Sequence, residues 1–271
     1  MCPTKSNTRI ARLARCIWVL ERVIALVTAC LGDPKRRRGI DSRGTVEVKQ
    51  FPCENNMRWK LDWFAYEVSR ALELHMEYMA KMEEQLADAQ RKASDKLRSA
   101  GLDWEEFGTE EQVYEDVYLR EFPKDLRYSF VVLICILLET RLTAACDEIQ
   151  SRKHLALKAN EFRGDAFDQA KRFLKKVAGL DLKDGTWEAI DFLKTVRNCI
   201  VHSAGDVSRS RDAAKLEQAN ERWPGFKIDD DTKSIVLQME FSEFALKAAE
   251  QLFKEIFKEG GFGPTEPIRE D

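Results

Sequence analysis

The sequence predicts an all-α protein: a helical bundle with a long N-terminal amphipathic helix and a small β-hairpin before the last helix. Three features of the 271 residues lead to this prediction. Charged residues make up 34% of the chain and glycine occurs only 13 times, while apolar residues recur every three or four positions over long stretches. With 44% apolar residues, the chain is also long enough to bury a full core.

Residues 1–56 form an atypical segment that is predicted to be partly disordered and to contain one possible helix. The apolar stretch at 17–31 is interrupted by Glu21 and Arg22, so its runs are too short to cross a bilayer of about 30 Å. An interfacial helix is the alternative there. The basic run at 35–38 is typical of a disordered linker. The change in composition at the end of this segment leaves open whether it belongs to the functional protein.

Residues 57–122 are predicted to contain a long helix, followed by short helices that pack on the bundle. The residues that keep the spacing of one helix face are Leu61, Phe64, Val68, Leu72, Met79, Met82, Leu86, Ala89 and Ala93. A helix of about forty residues is longer than one compact bundle needs. Its length therefore indicates a coiled-coil arm or a dimer contact.

The start of the short helices is marked by capping signals. Gly101 is expected to end the long helix, and two capping boxes follow it, Asp103 with Glu106 and Thr109 with Gln112. Each box supplies partners for backbone N–H groups at a helix start. The pattern therefore predicts two short helices before the bundle domain.

Residues 123–258 are predicted to form the helical domain itself. Pro123 suits the first turn of a helix, and nine consecutive apolar residues follow at 130–138. Nine residues are too few to span a membrane, and Arg127 and Glu139 on the two flanks argue against a membrane contact. The run therefore predicts a helix that is buried on all sides at the centre of the bundle.

The remaining elements are predicted from caps, turn residues and periodicity. The first two are a helix at 165–178 that Gly179 ends and a helix that Thr186 caps and Gly205 ends. A polar helix follows, capped by Ser208 or Ser210 and stopped after Trp223, and then a hairpin of strands 226–228 and 234–237. The last helix is capped by Ser242 and runs to about Phe257, and a disordered tail is expected at 259–271.

The segment that points to chemistry is R-N-C-I-V-H at residues 197–202, near the end of a helix with an apolar face. Asn198 and His202 lie one turn apart on the flank opposite that face, whereas Arg197 lies at the edge of the apolar arc. A guanidinium there must be paired or must reach around the helix. Arg197 and His202 can meet only if the arginine wraps, or if the last turn unwinds before Ser203.

This spacing resembles the R-x4-H signature of the HEPN superfamily, whose members are small helical bundles and in many cases ribonucleases. The resemblance extends over residues 123–257, because the apolar helix, the motif helix, the hairpin and the closing helix follow the order of such domains. It implies a homodimer in which two Arg/His sets line one cleft. The branch that attaches nucleotides to proteins carries a tyrosine two residues after the histidine, and Ala204 at that position disfavours adenylyl transfer.

The residue types in this motif suit RNA cleavage without a metal ion. His202 can take up and return protons near neutral pH, Arg197 can stabilise charge on a phosphate, and Asn198 can hold the imidazole or contact the phosphate. A structural ion pair with Arg197 is the favoured role of Glu139, and orienting the arginine is the alternative. The other interpretation of His202 is a capping or core histidine at a helix end.

Any RNA-binding surface must be local, because the net charge is −3 and the isoelectric point is about 5.9. The candidate RNA-binding residues are Lys171, Arg172, Lys175, Lys176, Arg209 and Arg211. A solvated helix face is the alternative interpretation of these residues. The seven cysteines include no C-x2-C pair, so the spacing predicts neither a metal site nor a cofactor and is typical of buried thiols in a reducing cytoplasm.

The predicted function is therefore a metal-independent endoribonuclease, a toxin or defence or RNA-processing effector, that acts on RNA in the cytoplasm as a homodimer. An antitoxin or neighbouring-gene product is the expected partner class. The first alternative is a non-catalytic helical module that binds RNA, a nucleotide or a partner protein. The second is a membrane-surface or scaffold protein in which the long helix and the basic N-terminus matter more than the motif.

Overall fold

The structure, a computed structural model, describes residues 59–266 and 268–269. It confirms the all-α prediction, with a single short hairpin in the bundle. The chain separates after Asn56 into residues 1–56 and 57–271, and the expectations for the first segment lie outside the described residues. The main elements are α1 (Trp63–Ser99), α2 (Trp104–Tyr114), α3 (Phe122–Arg152), α4 (Ala166–Lys176), α5 (Asp184–Ser203), α6 (Ala213–Gln218), β2 (Phe226–Ile228), β3 (Ile235–Leu237) and α7 (Met239–Gly260), framed by the two-residue strands β1 (Trp59–Lys60) and β4 (Ile268–Arg269).

The first half of α1 packs on the bundle, and its second half pairs with the helical segment that follows. The fully buried residues of α1 are Ala65, Val68, Leu72 and Met79. Beyond them, the Gln90 side-chain amide donates a hydrogen bond to the Tyr118 carbonyl at 2.8 Å, and the Tyr114 hydroxyl lies 3.4 Å from the Gln90 carbonyl. The second half of the long helix is thus supported by local polar contacts and half-buried side chains.

Of the two capping boxes predicted after α1, only the one at Asp103 starts a helix. The Asp103 carboxylate accepts hydrogen bonds from the backbone of Glu105 and Glu106 and caps α2. Thr109 starts no second helix, because its hydroxyl donates to the Glu105 carbonyl within α2. The chain then continues without a break through a π-helical segment, Glu115–Glu121, into α3.

Helix α3 lies at the centre of the bundle against α1, α4, α5 and α7, but it is not buried on all sides. Ile136 is 50% exposed, and Val132, Leu133 and Leu137 are half-buried. Nine consecutive apolar residues cover every face of a helix, and the neighbouring helices cover only part of that circumference. The prediction of complete burial is therefore wrong for this face.

By length and composition alone, the helical run Trp104–Arg152 could cross a membrane. Eleven residues of its α3 portion are buried in the protein core instead, among them Ile134, Leu138 and Leu142. Core helices of soluble proteins have the same composition. This pattern fits a central bundle helix.

Helix α5 begins three residues earlier than an N-cap at Thr186 would place it, and its start is capped from another helix. Thr186 lies inside the first turn, and the N-cap position belongs to Lys183, whose side chain makes no capping bond. The Glu255 carboxylate of α7 accepts hydrogen bonds from the Lys183 backbone at 3.0 Å and from the Thr186 hydroxyl at 2.9 Å. The first bond satisfies a backbone donor that a local capping box would otherwise satisfy, and the second ties the first turn of α5 to α7.

Two later helices also start at residues other than those that the local capping signals indicate. Helix α7 begins at Met239, and Ser242 is buried inside it with a hydroxyl that has no partner among the described residues. Helix α6 starts after Asp212 and not after either serine. The antiparallel hairpin of β2 and β3 is confirmed, with Phe226 opposite Leu237.

The described part of the C-terminal tail is ordered against the bundle, in contrast to the expected disorder from residue 259. Helix α7 continues to Gly260, and the ring of Phe262 packs against Phe64 and Phe257. Strands β1 and β4 pair antiparallel. Because Phe262 covers apolar surface between α1 and α7, the tail closes one side of the core.

Asp62 connects this tail to α1 and α3. Its carboxylate accepts bonds from Arg152 at 2.6 and 3.1 Å and from the backbone of Gly263 at 3.0 Å and of Ala65 at 3.2 Å. Partial burial by itself would raise the pKa of Asp62. The hydrogen bonds from Arg152 and the two backbone donors outweigh burial and lower the pKa to about 2.

We expect Asp62→Asn to lower the free energy of unfolding at pH 7 by about 2 kcal/mol. A depressed folded-state pKa stabilises the protein fully above the unfolded-state value near 4, and that contribution is lost as the pH falls through 2. Urea unfolding of both proteins from pH 7 to pH 2 measures the difference. The exposed Asp95→Asn serves as control, and a stability difference that does not change with pH would contradict this role.

Candidate functional site

The motif occupies the last two turns of α5, and the helix ends directly after it. Ala204 and Gly205 both adopt the left-handed conformation, with φ values of 52° and 83°. Their backbone N–H groups donate to the Cys199 carbonyl, at 3.1 Å for Gly205. This double left-handed turn ends α5 at Ser203 and sets the direction of the chain beyond His202.

The segment after His202 is attached to the hairpin and to α3. The Gly205 carbonyl accepts a bond from the Ile235 backbone at 2.9 Å, and Val207 donates to the Lys233 carbonyl at 2.9 Å. The buried Tyr128 hydroxyl donates to the Ile235 carbonyl at 2.5 Å. Tyr128 is a site-supporting residue that the sequence analysis missed, since nothing local in the sequence indicates a partner 107 positions away.

The Arg197 side chain contacts one residue on α5 and one on α3. One terminal nitrogen donates to the Asn198 side-chain oxygen at 2.9 Å, and the other lies 3.6 Å from Glu139 Oε1. The side chain is 27% exposed, and Nε is buried without a hydrogen-bond partner among the described residues. The guanidinium is therefore held in place, but not all of its hydrogen-bond donors have a partner among the described residues.

The Arg197 guanidinium is bonded to a residue on the flank of α5 that carries the histidine. Asn198, which accepts the arginine hydrogen bond, lies one turn before His202. His202 is exposed, so its ring is open to a ligand and is not a core histidine. Ser203 is buried, with 6% of its surface exposed, and its carbonyl accepts a bond from Asp206; it supports the turn and does not face the site.

Glu139 and Arg197 are close without forming a tight ion pair. At 3.6 Å the contact is longer than a charge-assisted hydrogen bond, and the Glu139 side chain is 32% exposed. A pair that is open to solvent contributes little stability. The geometry is thus compatible with an orienting carboxylate as well as with the favoured structural pair.

Two apolar residues beside the site are exposed to solvent. Val201, next to His202, and Ile136, three positions before Glu139 on α3, are each 50% exposed. Residues three apart on a helix share a face, so Ile136 lies on the side of α3 that carries Glu139. Neither residue stands out in the sequence, because an apolar side chain ordinarily indicates the core.

The cysteines near the site are buried thiols, as expected. Burial raises the pKa of Cys135 to about 12, and the nearby Arg197 charge opposes this shift only in part. Burial also raises the pKa of Cys199. A buried thiol with a raised pKa is a poor nucleophile, so these cysteines contribute packing.

The basic residues of α4 lie away from the motif. Lys171 bonds to Asp191 at 2.8 Å and sits over the Trp187 ring, while Arg172 donates to the Arg163 carbonyl. Asp191 precedes His202 by eleven residues, which is about 16 Å along α5. Lys175 and Lys176, in the last turn of α4, are exposed. The structure therefore does not bring the α4 cations together with Arg197 and His202.

Arg209 and Arg211 are the basic candidates that follow the motif most closely. Arg209 ends the short 3-10 helix Val207–Arg209, and both arginines are exposed. Neither forms an ion pair with a residue that the structure describes. They lie just beyond the turn that positions His202.

Within residues 59–266, no three histidine, cysteine or acidic side chains are grouped closely enough to hold a metal ion. Comparison with family models, with curated proteins and with solved structures found no significant match. What the fold and the site define is a class: an all-α bundle that presents an arginine, an asparagine and an exposed histidine at the end of one helix.

Proposed function

We propose that this protein is a metal-independent endoribonuclease of the HEPN type, acting at a cleft between two copies of the chain. The observation that carries the proposal is the hydrogen bond from Arg197 to Asn198, which lies one turn before the exposed His202. Arginine, asparagine and histidine side chains that share one solvent-open helix end match the chemical needs of RNA cleavage.

In the proposed reaction, the ribose 2′-hydroxyl attacks the neighbouring phosphorus and the bond to the 5′-oxygen breaks. His202 removes the proton of the attacking hydroxyl, and Arg197 donates hydrogen bonds to the phosphate oxygens as negative charge increases in the transition state. Asn198 accepts a hydrogen bond from the guanidinium and helps to hold it in place. The products carry a 2′,3′-cyclic phosphate and a 5′-hydroxyl.

One imidazole cannot act as base and acid in the same step, which supports a two-fold assembly. A dimer about a two-fold axis at the His202 end of α5 would place a histidine on each side of the phosphate, and His202 of the second copy would donate the proton that the leaving 5′-oxygen takes up. The exposed apolar residues Ile136 and Val201 beside the site provide contact area for such a dimer. The free, buried cysteines of the described chain fit a reducing compartment, so we propose a cytoplasmic effector.

Incubation of the full chain with mixed RNA in EDTA tests this proposal. We expect cleavage in the chelator, with 2′,3′-cyclic phosphate at the product ends. Intact RNA under all conditions would reject the ribonuclease. The alternative, a non-catalytic module that binds RNA, a nucleotide or a protein, then predicts RNA binding that Arg197→Ala weakens about tenfold.

We also propose that the protein has an antitoxin or neighbouring-gene product as its partner. An antitoxin or neighbouring-gene product that inhibits the enzyme would have to cover His202 or separate the two copies.

Arg209 and Arg211 would contact the RNA backbone beside the cleft, because both are exposed and follow the His202 turn. The α4 cations would contact RNA only beyond the cleft.

A further inference from the structure

Two bidentate pairs of an arginine and a carboxylate join α1 to α3. Near the start of α3, Arg127 Nε and one terminal nitrogen donate to the two carboxylate oxygens of Glu83, at 2.8 and 3.0 Å. At the end of α3, both terminal nitrogens of Arg152 donate to the carboxylate of Asp62, the N-cap residue of α1. A bidentate pair fixes the orientation of the guanidinium as well as its position.

The Arg127 guanidinium also reaches the hairpin. Its remaining terminal nitrogen donates to the Leu237 carbonyl of β3 at 3.0 Å. The contact is well enclosed, because only 19% of the Arg127 side chain and 11% of the Glu83 side chain are exposed. All three guanidinium nitrogens therefore have an acceptor, two of them with an oxygen on α1 and one with an oxygen on β3.

The edge of β3 that Arg127 contacts also holds the turn that ends α5. Backbone groups of residues two apart in a strand point to the same edge, so the Ile235 and Leu237 carbonyls lie on one side of β3. On that edge, the Ile235 carbonyl accepts a bond from the Tyr128 hydroxyl, and the Ile235 N–H donates to the Gly205 carbonyl at 2.9 Å. Two neighbouring residues of α3 and the turn at Gly205 thus share one strand edge.

Arg127 and Tyr128 hold β3 at two points. The two carbonyls that they contact are two residues apart, which is about 7 Å along a strand. A strand that is bonded at one point can tilt about that point, and a second bond restricts the tilt. An arginine side chain loses much rotamer freedom when it is fixed, and the pair with Glu83 already removes that freedom. The bond to Leu237 is therefore pre-organised by α1.

We propose that Arg127, oriented by Glu83, is a positioning residue for His202. Arg127 fixes β3, β3 fixes the turn at Gly205, and this turn fixes the end of the helix that carries the imidazole. Moving a reacting group by about 1 Å can cost about 10² in rate, so a residue can control cleavage without touching RNA. The dependence of the turn on Arg127 does not require any reaction, whereas the effect on cleavage rests on the proposed function.

Hydrogen exchange of the RNA-free full chain tests the dependence of the turn with Arg127→Lys. Lysine keeps the charge, but a single ammonium cannot reproduce the planar set of donors that reaches both Glu83 oxygens and the Leu237 carbonyl. We expect backbone exchange at 203–210 to become about tenfold faster, while exchange in α4 keeps the wild-type rate. An unchanged rate at 203–210, or an equal rise in α4, would overturn the proposal.

Arg152→Lys is the matched control. It breaks the same kind of pair between the same two helices, and the acceptors of Arg152 are Asp62 and Glu148 and not the hairpin. Exchange at 203–210 should therefore keep the wild-type rate in this variant. If Arg152→Lys accelerates exchange there as much as Arg127→Lys does, a general loosening of α1 against α3 explains the effect and the proposal fails.

Glu83→Gln shows whether the carboxylate acts through Arg127. Alone, it should accelerate exchange at 203–210, because a neutral amide holds the guanidinium less firmly. Added to Arg127→Lys, it should have little further effect, since a residue that acts through another loses its influence once the other is changed. Full addition of the two effects would show that Glu83 does not orient Arg127.

In RNA cleavage, Arg127→Lys should lower kcat at least tenfold and leave KM unchanged, because it displaces the base and not the groups that bind RNA. Arg152→Lys should change neither constant. A wild-type kcat in Arg127→Lys would overturn the role of Arg127 in the reaction. A wild type that cleaves no RNA, but shows the expected exchange pattern, would reject the ribonuclease and support the positioning of the turn.

Discussion

His202→Ala is expected to lower the rate of RNA cleavage by about 10² to 10⁴ at pH 7, while RNA binding is retained. The factor is what a positioned general acid or base contributes. The ring is exposed and makes no contribution to the core, so the substitution should leave the fold intact. Initial rates on a labelled RNA in EDTA, together with circular dichroism of the variant, measure both effects.

The remaining histidines allow a matched control. His154 is exposed in the turn after α3, and its removal should not change cleavage. If His202→Ala and His154→Ala cleave RNA equally fast, the imidazole of His202 has no role in the reaction. If both are as slow as buffer alone while wild type is active, the loss reflects something other than the motif.

Gly205→Ala is expected to destabilise the protein by about 3 kcal/mol, the largest stability effect we predict for a single methyl group. Gly205 has a φ of 83°, which costs a residue with a Cβ about 1–2 kcal/mol. The added Cβ would also collide with the ring and hydroxyl of Tyr128. Tyr128 cannot move aside, because it is buried and bonded to the Ile235 carbonyl, so overpacking adds a similar cost.

Gly179→Ala separates the two contributions. Gly179 has a φ of 68°, but an added Cβ there would meet no atom within 4 Å. Its substitution should therefore cost only about 1 kcal/mol. Chemical unfolding of the two variants and of wild type gives the comparison. Equal losses would show that Tyr128 yields, and that the turn after His202 is less rigid than the hydrogen bonds around it indicate.

The fold was predictable where the signal lies within a few neighbouring residues. Asp103 caps α2 through bonds to residues two and three positions ahead, and the hairpin forms where it was expected. Thr186 and Ser242 carry the same kind of signal, but neither caps a helix. Glu255, 72 positions from Lys183, caps α5 in place of Thr186.

The candidate site was predictable as a set of residues but not as a geometry. Spacing along α5 placed Asn198 and His202 on one flank, and the structure has them there. Spacing could not show that Arg197 bonds to Asn198 and lies 3.6 Å from Glu139. Nor could it show that Lys171 is paired with Asp191, far from the histidine.

The sequence by itself determined that the chain is an all-α bundle with one hairpin and a helix ending in Arg197, Asn198 and His202. These features depend on helical periodicity and on bonds between near neighbours, which act wherever the segment lies. Tertiary structure alone decided that Ile136 is exposed, that Glu255 caps α5, and that Tyr128 and β3 hold the turn after His202. Such outcomes depend on which distant groups meet when apolar surface is buried, and no local pattern encodes that pairing.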